Sequence, residues 1–113
     1  MHQQNGDRSC ATEAIGGNHK GPVMVYISKV NDALNADGST PWVKLFESGL
    51  VNASTQKWGN DVLNDNCGKQ DVKIPSNLAP GQYLLRAETI ALHAAGKSTF
   101  PAMYVVERKV LTL

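Results

Sequence analysis

The sequence lacks the features that would direct a chain to a membrane or to a nucleic acid. Its 11 Lys and Arg residues nearly balance its 10 Asp and Glu residues, giving a net charge of +1. The basic residues are scattered, so they form no electrostatic stripe for phosphate groups. No apolar run is long enough to span a bilayer. We therefore expect neither a nucleic-acid partner nor a membrane partner.

Targeting and common catalytic motifs are also missing. Residues 1–9 are polar throughout, whereas a secretory signal peptide needs an apolar core of about 7–15 residues. The chain has no Gly-x-Ser-x-Gly elbow, no P-loop, no Cys-x-x-Cys knuckle and no dinucleotide fingerprint. These absences set aside the reaction classes that depend on those motifs.

Cysteine is scarce. The two cysteines, Cys10 and Cys67, lie in loop sequence rich in Gly, Asn and Asp. Paired cysteines in loops are common in secreted folds, whereas isolated structural cysteines prefer apolar cores. We favour a disulfide over the alternative of two unpaired thiols in a reducing cytosol. The closed loop of about 58 residues would contribute on the order of 4 kcal/mol in the chain-entropy model.

What the sequence does contain is mostly a period-two alternation of side chains, which is typical of β-strands. The predicted strands are 22–30, 42–47, 70–74, 82–92 and 103–113, with a short helical turn at 60–64. Strands separated by turn-rich loops, with no amphipathic helix, predict one all-β domain over residues 1–113. We expect an immunoglobulin- or fibronectin-III-like antiparallel β-sandwich. Because five strands are few for two closed sheets, we expect this sandwich to be incomplete.

One histidine stands in a distinctive position. His19 lies in a Gly-rich segment, Gly-Gly-Asn-His-Lys-Gly-Pro-Val at residues 16–23, directly before a predicted strand. A loop on a rigid β-scaffold can hold an imidazole outward, and metal sites on β-proteins are built in this way. His19 is therefore a candidate metal ligand, with the capping of a turn as the alternative.

Several motifs agree in order and spacing with those of one known family. They are the Cys-Ala-Thr-Glu-Ala-Ile run from Cys10 that continues into the His19 segment, Asp37-Gly38-Ser39, Asn66-Cys67-Gly68-Lys69, Ala79-Pro80-Gly81, and the Leu-Arg-Ala-Glu-Thr-Ile-Ala-Leu-His run that ends at His93. From Gln3 to about Gly96 the chain resembles the fungal lytic polysaccharide monooxygenases of auxiliary activity family 9. The resemblance implies a secreted, monomeric enzyme that uses one copper ion and an external electron donor to cleave cellulose or a related β-glucan oxidatively.

The resemblance also implies roles for individual residues. In this family copper is held by a histidine brace, and His19 corresponds to its second histidine. His93 corresponds to a catalytic histidine that forms a hydrogen bond near the oxygen site, and Tyr104 to the axial tyrosine. Tetragonal nitrogen and oxygen ligation suits Cu(II), so these roles are chemically coherent. The alternatives are a backbone-bonded core histidine for His93 and ordinary strand packing for Tyr104.

Two departures from the family pattern bear on activity. Family members carry the first brace histidine on a segment that precedes the stretch resembling residues 1–4, so we expect His2 not to be that histidine. Residues 97–113 form a divergent C-terminal strand, in which Ala102 replaces an expected glutamine. We therefore expect the chain as written to be truncated, to bind copper weakly and to turn over little. Tight Cu(II) binding with oxidised products would overturn this expectation.

A few other residues have candidate roles. Asn52 begins an Asn-Ala-Ser glycosylation sequon. We interpret Arg86 and Glu88, which share one strand face, as a sheet ion pair rather than a catalytic pair. Trp42 and Trp58 could stack on sugar rings, but Trp42 lies in an alternating strand and is expected in the core.

Two competing accounts of the chain stay open at the level of sequence. The first is a non-catalytic carbohydrate-binding or interaction module that has lost its copper site. Such a module should still bind cellulose after chelation of metal, whereas a copper-dependent binder should not. The second is a chain that does not fold stably, because uncovered sheet edges and apolar surface favour aggregation. A cooperative thermal transition would count against it.

Overall fold

The computed structural model describes residues 9–96 and 103–113, and for residues 94 and 103–110 only the backbone is described. The elements, in chain order, are strand β1 (Val23–Val30), strand β2 (Val43–Ser48), strand β3 (Leu50–Asn52), strand β4 (Lys57–Trp58), helix α1 (Gly59–Asp65), strand β5 (Gln82–Ile90), a 3₁₀ turn (Leu92–Ala94) and strand β6 (Met103–Thr112). Among the described residues, neither helical segment has the length and apolar composition that crossing a membrane requires.

Four strands form one antiparallel sheet in the order β2-β1-β5-β6. At its centre, β1 and β5 pair without interruption from Val23 opposite Thr89 to Val30 opposite Gln82. β3 and β4 form a separate two-stranded hairpin. The prediction of a mostly β chain with antiparallel strands is confirmed. The immunoglobulin- or fibronectin-III-like form of the sandwich stays a prediction.

Two local predictions are wrong. Residues 70–74, predicted as a strand, are irregular, and no strand in the described part of the chain pairs with them. The hairpin of β3 and β4 occupies a polar stretch in which no strand was predicted. Both errors have the same reason, since alternation over five residues or fewer is a weak signal that pairing with neighbours can override.

The two faces of the sheet carry separate small cores. Because successive residues of a strand point to opposite faces, Val23 and Val30 of β1 belong to different cores. The first core contains Ile15, Val23 and Leu63 with Phe46 packed against them. The second contains Val30, Ala33 and Leu84 with Ala36 and Trp42 packed against them. Trp42, predicted in the core as part of a strand, lies just before β2 and is only partly buried, packed against the second core.

Helix α1 lies close against the sheet because its first residue is glycine. A Cβ placed on Gly59 would lie 2.1 Å from the carbonyl oxygen of Ser48, so no larger residue fits there without a backbone shift. The Asp61 carboxylate accepts a hydrogen bond of 2.7 Å from the backbone N–H of Trp58, which satisfies a donor at the start of the helix. Leu63 anchors the helix in the first core with 1% exposure.

The predicted disulfide between Cys10 and Cys67 is present, with the two Cα atoms 4.5 Å apart. Cys67 follows the C-terminal end of α1, and Cys10 lies on the loop that leads to His19. The bond therefore attaches the beginning of this loop to the end of the helix.

Candidate functional site

Two of the predicted site residues lie side by side at one end of the sheet. The ring centroids of His19 and His93 are 4.9 Å apart, and the rings meet edge to face with an interplanar angle of 69°. The His19 side chain is half-buried, whereas His93, in the 3₁₀ turn after β5, is exposed. The arrangement places a partly shielded imidazole next to one that a ligand can reach from solvent.

Backbone pairing beyond the ends of β1 and β5 brings these histidines together. Ile90 donates a hydrogen bond of 3.2 Å to the Pro22 carbonyl, and Leu92 donates one of 2.9 Å to the Lys20 carbonyl. Between these bonds, a Cβ placed on Gly21 would lie 1.7 Å from the carbonyl oxygen of Ile90. The glycine of the Gly-Pro pair is therefore required by the close approach of two backbones.

The His19 imidazole is held in one tautomer. Its Nδ1 atom lies 2.5 Å from the carbonyl oxygen of Gly16. Because a carbonyl oxygen only accepts hydrogen bonds, Nδ1 is the donor in this contact, which in the neutral ring leaves the lone pair on Nε2. Metal-binding histidines commonly donate their other ring N–H to a carbonyl or carboxylate, which fixes the ring and raises its basicity as a ligand. This geometry is suited to metal ligation through Nε2.

Asn60, on α1, contacts the main chain at His19 and at Gly21. Its Nδ2 donates to the carbonyl oxygen of His19, and its Oδ1 accepts a hydrogen bond of 2.7 Å from the backbone N–H of Gly21. The Thr89 hydroxyl lies 3.4 Å from Nδ2. Asn60 is only 2% exposed, so its carboxamide is enclosed among these partners. Nothing in the sequence marks this residue, because its contacts join positions 29, 39 and 41 residues apart.

Asn64 holds the earlier part of the same loop. Its Oδ1 accepts a hydrogen bond of 2.9 Å from the Ile15 N–H, and its Nδ2 donates one of 2.8 Å to the Ile15 carbonyl. Ile15 immediately precedes Gly16, the partner of the His19 ring. Since residues four apart share a helix face, α1 presents both amide side chains to residues 15–21, which we call the His19 loop.

Lys20 adds an ionic contact beside the site. Its Nζ atom lies 3.1 Å from Oδ2 of Asp61 and donates a hydrogen bond of 3.1 Å to the Gln56 carbonyl in the turn between β3 and β4. Because the Lys20 side chain is 44% exposed, water screens the attraction. The contact connects the His19 loop to both α1 and the hairpin.

Arg86 and Glu88 form an ion pair on one face of β5, as the sequence predicts. Arg86 Nε lies 2.5 Å from Oε1 of Glu88, although its N–H is not aligned for a hydrogen bond. The guanidinium carbon lies 4.3 Å from the ring centroid of Trp42 and 4.8 Å from that of Tyr26. The Glu88 side chain is only 6% exposed. These contacts favour the interpretation as a structural pair within the sheet.

The remaining predicted residues are placed only in part. Tyr104 lies in β6 with its backbone opposite Thr89, at the same end of the sheet as the Asn60 contacts. His2 and Ala102 lie outside the described residues. Asn52 ends β3 and is exposed, and its Oδ1 accepts a hydrogen bond of 3.2 Å from Thr55.

The described side chains do not make a complete metal site by themselves. Among them, no group of three or more His, Cys, Asp or Glu residues could hold a metal ion. Two adjacent imidazoles, one with a fixed tautomer, nevertheless fit part of the coordination sphere of a metal that prefers nitrogen, such as copper.

Comparison with known sequences points to one family. The model of Auxiliary Activity family 9 (formerly GH61) matches residues 3–106. The AA9 family lytic polysaccharide monooxygenase AA9-X282 of Trametes coccinea is 60% identical over 96 residues, covering 84% of this chain and 35% of that protein. The AA9 family lytic polysaccharide monooxygenase B of Thermothelomyces thermophilus is 54% identical over 111 residues, covering 93% and 34%. The chain thus spans about a third of the length of these relatives.

Solved structures agree with the sequence comparison. The structure described as CvAA9A has a TM-score of 0.74 and 33% identity, over 88% of this chain and 46% of that one. The crystal structure of HiLPMO9B has a TM-score of 0.72 and 35% identity, over 86% of this chain and 43% of that one. The aligned part of this chain covers less than half of each of these two solved chains.

Proposed function

Because the chain belongs to auxiliary activity family 9, we propose that it contributes the His19 part of a copper site for the oxidative cleavage of cellulose or a related β-glucan. The observation that carries the proposal is the Nδ1–H bond of His19 to Gly16, which leaves the lone pair of the neutral ring on Nε2, the atom that would bind a metal. Because the chain spans about a third of its relatives, the activity is proposed for the whole enzyme.

His19 would hold one copper ion through Nε2, and His93 would stand beside it as the catalytic histidine. Tyr104 would be a tyrosine ligand of the same copper ion. In the family, the amine and ring of an N-terminal histidine complete the brace. When bound, copper would supply one-electron chemistry for the reduction of an oxygen co-substrate, with electrons from an external donor.

In this mechanism the protein's own groups would orient the His19 ring and transfer protons. The Gly16 carbonyl would keep the proton on Nδ1 of His19 and thereby place the ring's lone pair on Nε2. The exposed His93 ring, 4.9 Å away between centroids, can donate a hydrogen bond to the oxygen co-substrate. Its exposure also allows exchange of protons with solvent.

The proposal also covers the fold, the location and the glycosylation of the protein. The four-stranded sheet would form part of an immunoglobulin- or fibronectin-III-like sandwich within one domain over residues 1–113, ending in a divergent strand at 97–113. We propose an extracellular monomer, and the disulfide supports an oxidising compartment. Asn52, exposed at the end of β3, is the proposed glycosylation acceptor.

The proposal is tested by incubating the copper-saturated protein with cellulose and a reductant and analysing soluble products by mass spectrometry. We expect any oxidised cello-oligosaccharides to depend on both copper and His19, and therefore to disappear with His19→Ala. Cellulose binding that survives chelation and His19→Ala, without oxidised products, would contradict the proposal and favour the non-catalytic module.

A further inference from the structure

We propose that Asn60 and Asn64 are positioning residues that hold the His19 imidazole in the tautomer and direction of a metal ligand. The inference goes beyond the proposed function, on which it rests only for the identity of the metal. The inference is that α1 fixes the His19 ring in the metal-free protein.

Helix α1 contacts the His19 loop at two places. Asn64 uses both its carbonyl and its amide to bind the two polar groups of Ile15, at 2.9 and 2.8 Å. Asn60 accepts from the Gly21 N–H at 2.7 Å and donates to the His19 carbonyl. The two ends of the loop are thus attached to the same helix, one turn apart.

These two attachments determine the position of the His19 ring. The hydrogen bond from Nδ1 of His19 requires the Gly16 carbonyl at a fixed place relative to the His19 main chain. Asn64 sets the position of Gly16 through the preceding Ile15, and Asn60 sets that of His19. Gly16 and Gly17, the latter with a φ of +66°, give this stretch too much conformational freedom to keep the geometry without such contacts.

Helix α1 is itself held in place by contacts along its length. Leu63, between the two asparagines, is 1% exposed in the first core. Gly59 brings the start of α1 into contact with Ser48, and the disulfide attaches the chain just after its end. Because each asparagine uses both a donor and an acceptor, the orientation of each carboxamide is determined. The side-chain amides of Asn60 and Asn64 therefore hold the His19 loop in one position.

The consequence for a metal is specific. If the Gly16 carbonyl moves away, the ring proton is no longer held on Nδ1 and can occupy Nε2, the atom that would bind the metal. Loss of outer contacts of this kind typically costs about 10–100-fold in metal affinity. A residue with only a general structural role would lower stability without changing the tautomer.

The experiment reads the tautomer of His19 in the metal-free protein, using long-range ¹H–¹⁵N NMR correlations of the imidazole. The variants are Asn60→Ser and Asn64→Ser, which are neutral and shorten the side chain. Asn66→Ser is the matched control, because exposed Asn66 also bonds a backbone carbonyl, that of Lys69 at 2.6 Å, but away from the His19 loop. Backbone amide spectra establish that each variant is folded. If a serine variant does not fold, Asn→Asp at the same position keeps the size and removes the donor.

We expect the unmodified protein and Asn66→Ser to carry the proton on Nδ1, and both test variants to show protonation at Nε2. Cu(II) affinity should fall about 10-fold or more in the two test variants and stay unchanged in the control. A His19 tautomer that is unchanged in either folded test variant would overturn the proposal. Because the tautomer is read without copper, a protein that binds no copper at His19 would refute the proposed function and leave this inference standing.

Discussion

Gly21 and Ile90 approach so closely that a Cβ on Gly21 would lie 1.7 Å from the Ile90 carbonyl oxygen. This contact joins the His19 loop to the end of β5, where His93 follows in the 3₁₀ turn. The two imidazoles are therefore brought together by backbone proximity, and any residue larger than glycine at position 21 must separate them.

The variant Gly21→Ala tests this directly. The added methyl group cannot be accommodated without a backbone shift, so we expect a loss of unfolding free energy on the order of 3 kcal/mol in urea denaturation. Gly49→Ala is the control, because a Cβ there has no atom within 4 Å, and a change within about 0.5 kcal/mol is expected. Equal effects of the two variants would show that the close contact is absent.

The disulfide is expected to stabilise the chain mainly by restricting the unfolded state. The double variant Cys10→Ser/Cys67→Ser should lose up to about 4 kcal/mol of unfolding free energy. A reductant should lower the urea midpoint of the unmodified protein and leave that of the double variant unchanged. A midpoint insensitive to reductant in both proteins would contradict the bond between Cys10 and Cys67.

The ion pair of Arg86 with Glu88 should matter more than an exposed pair of similar length. Glu88→Gln leaves the guanidinium beside an uncharged, buried partner, and we expect a loss of about 3 kcal/mol. In the matched variant Glu47→Gln, the broken pair joins exposed side chains of Lys44 and Glu47 at 2.7 Å, so a much smaller loss is expected. The losses of stability are measured by thermal unfolding of both variants. A larger loss for Glu47→Gln than for Glu88→Gln would refute the prediction that the buried pair contributes more.

Asp32 should give the stability a dependence on acid pH. Hydrogen bonds from the Asn35 side chain and then from the Leu34 N–H lower the pKa of the Asp32 carboxyl. A pKa lower in the folded than in the unfolded protein adds stability above the unfolded pKa of about 4, and this stability is lost as the pH falls through the folded pKa.

The measurement is the thermal midpoint of the unmodified protein, Asp32→Asn and Asn35→Ala as a function of pH. The unmodified protein should lose more stability than Asp32→Asn as the pH falls below about 4, with Asn35→Ala between the two. Parallel curves for all three proteins would mean that the hydrogen bonds to Asp32 do not favour its charged form.

How far the sequence predicts this structure depends on the range of the contacts involved. β1 and β5 are eight and nine residues long, and this length made both strands predictable. The strands of the hairpin have three and two residues, too few for a periodic signal. Asn60 and Asn64 escaped prediction because their partners lie 41 and 49 residues away. The pairing of His19 with His93 was predicted only through the family resemblance.

The most direct test of His19 as a copper ligand is a Cu(II) titration followed by electron paramagnetic resonance, with His19→Ala and His93→Ala for comparison. We expect a tetragonal, nitrogen-rich signal that is lost in His19→Ala, while His93→Ala still binds copper. A spectrum that is the same in His19→Ala as in the unmodified protein would show that copper binds elsewhere and would contradict the proposed site.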